Sequence, residues 1–271
     1  REKVYRAFVS RASNGKLDNK KIIEEILDIR DKRAKLLGYK NWCEISLATK
    51  MADNEEAVEM LLEELRLAAM PHAKKEINNL RDCAIRNGES NDFELSPWDV
   101  SFWAEVLRKE KYDLDQEKLR PWFPLDQVLN GLFNLCKRLF EIEIEEAKDI
   151  APLWHKDVSF YNVKNLNGQK IASFYLDPFS RPATKRGGAW MDECLCRNQT
   201  DKDNIVHPVA YLVCNQTPPT ANTPSLMSFE EVETLFHEFG HGLQHMLTTV
   251  NYPQAAGINN VEWDAVELAS Q

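Results

Sequence analysis

The chain has 271 residues, 43% of them apolar and 28% charged, with a formal net charge of −9. That length allows one large or two ordinary domains with a substantial core, and the composition is that of a soluble globular protein. No long apolar run offers a membrane span, and the acidic balance argues against a general nucleic-acid binder.

The first half reads as helical. Asp18 is placed to cap a helix through Ile22, Ile26, Ile29 and Leu37, closed by Gly38. Asp53 with Glu56 has the spacing of a capping box and opens a long helix through Val58, Leu61, Leu62 and Leu65 that stops near Gly88. Pro71 should kink or divide that helix. Ser96-Pro97 offers a cap followed by a proline at the first helical position, with Trp98, Phe102 and Leu107 as core candidates. A further helix covers 125–140, from Leu125 through Leu132, Leu135 and Leu139. Charged faces such as Glu63-Glu64 read as solvated, and His72 reads as structural because no spaced ligand-type residues accompany it.

The pattern changes after Pro152. Val158–Lys164 and Lys170–Leu176 read as two strands joined by a polar, glycine-containing turn, and Val209–Cys214 as a third. This predicts a small antiparallel or mixed sheet laid before a C-terminal helical segment. The chain thus divides into a helical region, 1–150, and a second region, 151–271. Between the second and third strands, Lys185-Arg-Gly187-Gly188-Ala189-Trp190 permits close backbone approach to a ligand, but it lacks the pattern of a phosphate-binding P-loop. The six cysteines, at 43, 83, 136, 194, 196 and 214, form no compact disulfide framework and favour a reducing compartment. Cys194-Leu-Cys196 has no matching second pair and reads as structural.

The chemistry lies in Thr234-Leu-Phe-His237-Glu238-Phe-Gly-His241-Gly-Leu-Gln-His245. Residues four apart on a helix lie about 40° apart round the axis, so His237 and His241 can offer two nitrogens to one metal ion. Glu238 can then reach a water in the metal's open position. The helix has independent support: Ser228 and Glu231 have capping-box spacing, and Val232, Leu235, Phe236, Phe239, Leu243 and Met246 recur at helical intervals. Gly240 is a poor helix former that lets another backbone or a ligand come close. A third protein ligand is expected, and Glu267 is the candidate. If 259–271 is helical, Asp264 lies on the face of Glu267 and can accept the outer N–H of a ligating histidine. His245 lies farther round the helix and is not expected on the metal; His155 and His207 read as structural or at the edge of a cleft.

His237-Glu-Phe-Gly-His241 together with Val266-Glu267-Leu-Ala-Ser-Gln271 resembles the M3 family of zinc oligopeptidases. Phe174–Asp177, Lys185–Asp192, His207–Ala210 and Val213–Pro219 are similar to its oligopeptidase A branch, which includes plant organellar enzymes. One departure is Ala269, where relatives usually carry proline. The resemblance implies a mainly α fold with a small sheet, part of a zincin-type catalytic domain, with 1–150 as one wall of a deep substrate channel. It implies one Zn²⁺ per chain on His237, His241 and Glu267, with Glu238 as general base in an endopeptidase acting on short peptides. It places Gly187, Gly188 and Ala189 beside the peptide-binding cleft. It further implies a monomer, without nucleic-acid or membrane partners, in the cytoplasm or an organelle matrix. The oxyanion donors of the family, histidine and tyrosine, lie beyond Gln271, so Arg1 and Gln271 read as internal positions of a longer enzyme. Two other readings stay open: a zinc aminopeptidase, and a non-catalytic peptide-binding fragment.

Overall fold

The computed structural model describes residues 1–113, 115–199, 201 and 204–271. Two compact units divide it, Arg1–Asp115 and Gln116–Gln271. This division falls earlier in the chain than the change of character near residue 150, because the helix over 125–140 packs with the sheet that follows it.

The first unit is helical: α1 (Glu2–Val9), α2 (Lys20–Leu36), α3 (Trp42–Leu47), α4 (Glu55–Arg86) and α5 (Val100–Tyr112). The cap of α4 is Asn54, one residue later than expected; its backbone is extended and its side chain accepts the Ala57 N–H at 2.9 Å. Pro71 does not divide α4. Its missing N–H leaves the Leu67 carbonyl without a helical partner, but Leu67 is 59% exposed and water can serve that oxygen. Helix α5 starts at Val100 rather than at Pro97, because Ser96–Asp99 closes a turn through the Asp99 N–H and Ser96 carbonyl at 2.9 Å. The core of this unit is small, with Leu80, Cys83, Ala84 and Trp103 buried and Phe93 and Leu107 packed against them. Phe102, a sequence-based core candidate, is exposed, and its neighbour Trp103 takes the interior place.

The second unit contains α6 (Gln116–Leu119), α7 (Leu125–Phe140), β1 (Ile142–Glu146), β2 (Ser159–Asn165), β3 (Lys170–Phe179), β4 (Trp190–Leu195), β5 (Asn198–Gln199), β6 (Ile205–Val206), β7 (Val209–Gln216) and α8 (Phe229–Met246). Five strands form a mixed sheet in the order β1-β2-β3-β7-β4, with β3 and β7 parallel and the other pairs antiparallel; β5 and β6 pair separately. The fold is mainly α with a small sheet. The three expected strands are β2, β3 and β7, while β1 and β4 add the two edges.

Strand alternation decides which side faces the helices. Phe174 and Leu176 of β3 and Ala210, Leu212 and Cys214 of β7 join Leu129 and Leu132 of α7 and Leu235, Phe239 and Met246 of α8 in one core. At its centre the Phe174 and Phe239 rings meet edge to face, 5.5 Å apart, with Phe133 alongside. The intervening residues Tyr175 and Tyr211 stack with centroids 5.4 Å apart. Among the described residues, no helix is long and apolar enough to cross a membrane.

The β3–β4 connection is tied back to the sheet by a buried ionic group. Asp177 accepts two hydrogen bonds from Arg181, at 2.8 and 2.6 Å, and one from the Trp154 indole at 3.1 Å. Lys185 reaches Asp177 Oδ1 at 3.1 Å and the Phe179 carbonyl at 2.8 Å. It is therefore a structural cation rather than a free one for a ligand.

Candidate metal centre

Helix α8 owes its start to a complete capping box. Ser228 Oγ accepts the Glu231 N–H at 3.2 Å, and the Glu231 carboxylate accepts the Ser228 N–H at 2.6 Å. Arg120 holds the same carboxylate at 3.1 Å. The apolar stripe then sets the rotation of the helix. Leu235, Phe239 and Met246 face the core, which leaves His237 part-exposed and His241 mostly buried.

One turn apart, the two imidazoles sit with centroids 4.9 Å apart and planes at 89°. His237 Nε2 and His241 Nε2 each lie 3.1 Å from Glu267 Oε2. Among the described residues, His237, His241 and Glu267 form a group that can hold a metal ion. Zinc bonds of about 2.0–2.2 Å at tetrahedral angles put neighbouring donor atoms about 3.3 Å apart. The donor set, two imidazole nitrogens and a carboxylate oxygen, fits that ion. Ser270 Oγ stands 2.8 Å from Glu267 Oε2. That hydrogen bond and then the two histidines hold the exposed Glu267 carboxyl below its usual range, against a smaller effect of burial.

Glu238 is 8% exposed. Burial pushes its carboxyl above the usual range, opposed first by the two histidines and more weakly by the Met191 main-chain amide of β4. His245 plays a different part. It is fully buried, with Nε2 2.9 Å from the Leu195 carbonyl at the end of β4. Gly257, at φ +67°, passes directly over it, where a Cβ would come within 2.6 Å of its Nδ1. His245 thus fastens the far end of α8 and is no member of the donor group.

The segment carrying Glu267 differs from the expected helix. It is a turn at 263–265 followed by a single 3₁₀ turn, Val266–Ala269. A helical nucleus orders three residues for one hydrogen bond and needs packing to persist, yet Trp263 and Leu268 are 75% and 80% exposed. Asp264 is exposed in that turn. The buried His241 Nδ1 has no hydrogen-bond partner, so Asp264 does not serve that imidazole.

Beside the group lies an open cavity of about 880 Å³, lined by the apolar side chains of Leu135, Leu139, Phe140 and Phe236 and also by His237, Glu238 and Ala189. Gly187 and Gly188 are exposed on the approach to β4, and the Gly188 carbonyl accepts a hydrogen bond from Asn215. Sequence reasoning alone misses the contributions of Met191 and Ser270. The Met191 amide acts through β4, which has no clear alternation, and the Ser270 hydroxyl acts only once its turn has folded.

A helix presenting two histidines four apart, with a glutamate after the first, defines the H-E-x-x-H class of metal-site proteins. Similarity to known proteins narrows the class. The chain belongs to peptidase family M3, whose model matches residues 1–271. It is 54% identical over 274 residues to the organellar oligopeptidase A (chloroplastic/mitochondrial) of Arabidopsis thaliana, covering 100% of this chain and 34% of that protein. It is 45% identical over 276 residues to oligopeptidase A of Escherichia coli, covering 100% of this chain and 40% of that protein. The dipeptidyl carboxypeptidase of the same bacterium is 38% identical over 273 residues, covering 100% of this chain and 39% of that protein. The chain therefore spans well under half the length of these curated relatives.

Proposed function

We propose that this chain carries the zinc-binding catalytic region of an endopeptidase acting on short peptides, with His237, His241 and Glu267 holding one ion. The observation that carries this reading is the approach of both histidine Nε2 atoms to 3.1 Å from one Glu267 oxygen, next to the buried Glu238. When bound, zinc supplies Lewis acidity to the scissile carbonyl and acidifies water. Glu238 takes the proton of the attacking water and delivers it to the departing amine. The apolar residues Leu135, Leu139 and Phe140 receive an apolar side chain of the peptide, and the Gly187–Ala189 backbone bonds to the peptide main chain, a reading supported by Ala189, which lines the same cavity. Restriction to short peptides is supported by the name oligopeptidase carried by several relatives. Those names also support a cytosolic or organellar compartment.

Elemental analysis after parallel dialysis tests the metal centre: about one zinc per chain in the wild type and a large loss in Glu267→Ala are expected. Glu238→Gln should keep zinc and bound peptide while hydrolysis falls about 10²–10⁴-fold; undiminished hydrolysis would sink the assignment of Glu238. A peptide blocked at both ends separates the reading from its rivals. An endopeptidase cleaves it, whereas an aminopeptidase or a dipeptidyl carboxypeptidase does not.

A further inference from the structure

We propose that Gly240 is a positioning residue for the third metal ligand. It provides a seat without a side chain, on which the turn Val266–Ala269 rests so that Glu267 reaches His237 and His241. The proposal rests on the reading of those three residues as zinc ligands.

The geometry is specific. A Cβ at residue 240 would lie 2.6 Å from the Ala269 carbonyl oxygen and 2.8 Å from Ser270 Cα. Both neighbours are main chain, so neither can swing aside, and the turn would have to lift off the helix. Glu267 sits within that turn and would lift with it. Gly242, two residues on, makes the contrast. Its added Cβ would meet Leu212 Cδ2 at 3.0 Å, the end of a side chain that can rotate. The helix itself does not call for glycine at 240: the residue has no positive φ, and alanine is the better helix former.

Little else holds the turn in place. It buries none of its own residues, and Leu268 is 80% exposed. Its internal ties are local: the Leu268 N–H to the Ala265 carbonyl at 3.1 Å, the Ser270 and Gln271 N–H groups to the Glu267 carbonyl at 3.2 Å each, and the Ser270 hydroxyl beside the Glu267 carbonyl and Oε2. Contact with the helix backbone at Gly240 therefore sets the height of Glu267 above the histidines, and Ser270 sets the direction of its carboxylate.

The test is zinc affinity, measured by competition with a chromophoric chelator at fixed pH. The proteins are wild type, Gly240→Ala, Glu267→Ala, the double variant and Ser270→Ala, each checked by far-UV circular dichroism. Gly240→Ala should keep its helicity and bind zinc about 10–100-fold more weakly, the size seen when groups that orient a ligand are lost. In the Gly240→Ala background, Glu267→Ala should cost no more than about threefold further, because the two changes remove one interaction. Wild-type affinity in Gly240→Ala, or an equal Glu267→Ala loss in both backgrounds, overturns the proposal. If Gly240→Ala does not fold, Ser270→Ala decides. A loss of about tenfold that disappears in the Glu267→Ala background supports positioning through the turn, and wild-type affinity overturns it. Undiminished binding in Glu267→Ala would defeat the ligand reading and this proposal with it. A weakened Glu267→Ala beside an unaffected Gly240→Ala would defeat the seat alone.

Discussion

The two units solve the problem of burial differently. In Arg1–Asp115 the helices form largely on local rules, with caps, helical propensity and ion pairs such as Lys32–Asp28 and Arg66–Glu63 on exposed faces. Its buried core is only a few side chains, and Ile22, Ile29, Leu61 and Leu65 remain more than half exposed. In Gln116–Gln271 the core is continuous from α7 through the sheet to α8, and it joins residues as distant in sequence as Leu125 and Met246. The donor group lies in this second unit. A site built from His237, His241 and Glu267 needs its helix held at a fixed rotation, and a continuous core does that where surface pairs do not. The lesson is that precision in this molecule follows long-range packing, not helix content.

Substitutions can break that comparison. The largest expected effect is Phe239→Ala, which empties a buried site between Phe133 and Phe174 and should cost the second unit about 3–5 kcal/mol in urea unfolding. Zinc binding should weaken with it. By contrast, Leu61→Ala on α4, already 57% exposed, should stay within about 0.5 kcal/mol. A large loss at Leu61 would show that the first unit has a tighter interior than described.

Asp177→Ala comes next, at about 3 kcal/mol, because it leaves Arg181 and Lys185 beside a buried vacancy of charge. The Asp177 carboxyl also provides a pH signature. Burial works to raise it, but hydrogen bonds from Arg181, Trp154 and Lys185 outweigh that and hold it below the usual carboxylate range. The Lys185 ammonium ends below its own usual range, because burial, helped by repulsion from Arg181, outweighs its attraction to Asp177. With a depressed folded-state value, the Asp177 stabilisation is complete above the unfolded value, about pH 4, and fades as the pH falls through the folded one. Denaturant titrations of wild type and Asp177→Asn should therefore converge as the pH is lowered from neutral into that acidic range. A constant difference would assign the effect to packing.

Smaller effects test the local rules. Ser228→Ala removes one half of the capping box of α8 and should cost about 1 kcal/mol. Arg66→Ala, in an exposed pair on α4, should leave thermal stability almost unchanged, and the more so at high salt. If Arg66 proved as costly as Ser228, surface pairing would carry more of the first unit than its geometry implies.

Much of the site can be read from the chain itself because its parts obey short-range rules. The spacing of His237 and His241, the Ser228 cap and the apolar stripe are all properties of one helix, as are the ends of α7. Strands β2, β3 and β7 are visible as apolar runs bounded by turn residues. Other features depend on which neighbour wins a local competition. Asn54, extended and accepting the Ala57 N–H, takes the place of Asp53 as the cap of α4, and Trp103 takes the place of Phe102 in the core, packed with Leu80, Cys83 and Ala84 of α4.

The sequence by itself determined the donor types, the helix that presents two of them and the glutamate set beside them, since these follow from helical periodicity and imidazole chemistry. Only the tertiary structure decided the rest. It packed β4 against β7, which brings the Met191 amide to Glu238. It turned His245 away to Leu195, and it laid a 3₁₀ turn over Gly240 to deliver Glu267. Those outcomes depend on contacts between segments far apart in the chain, whose closure is favoured or refused by the whole packed core rather than by any residue's own preference.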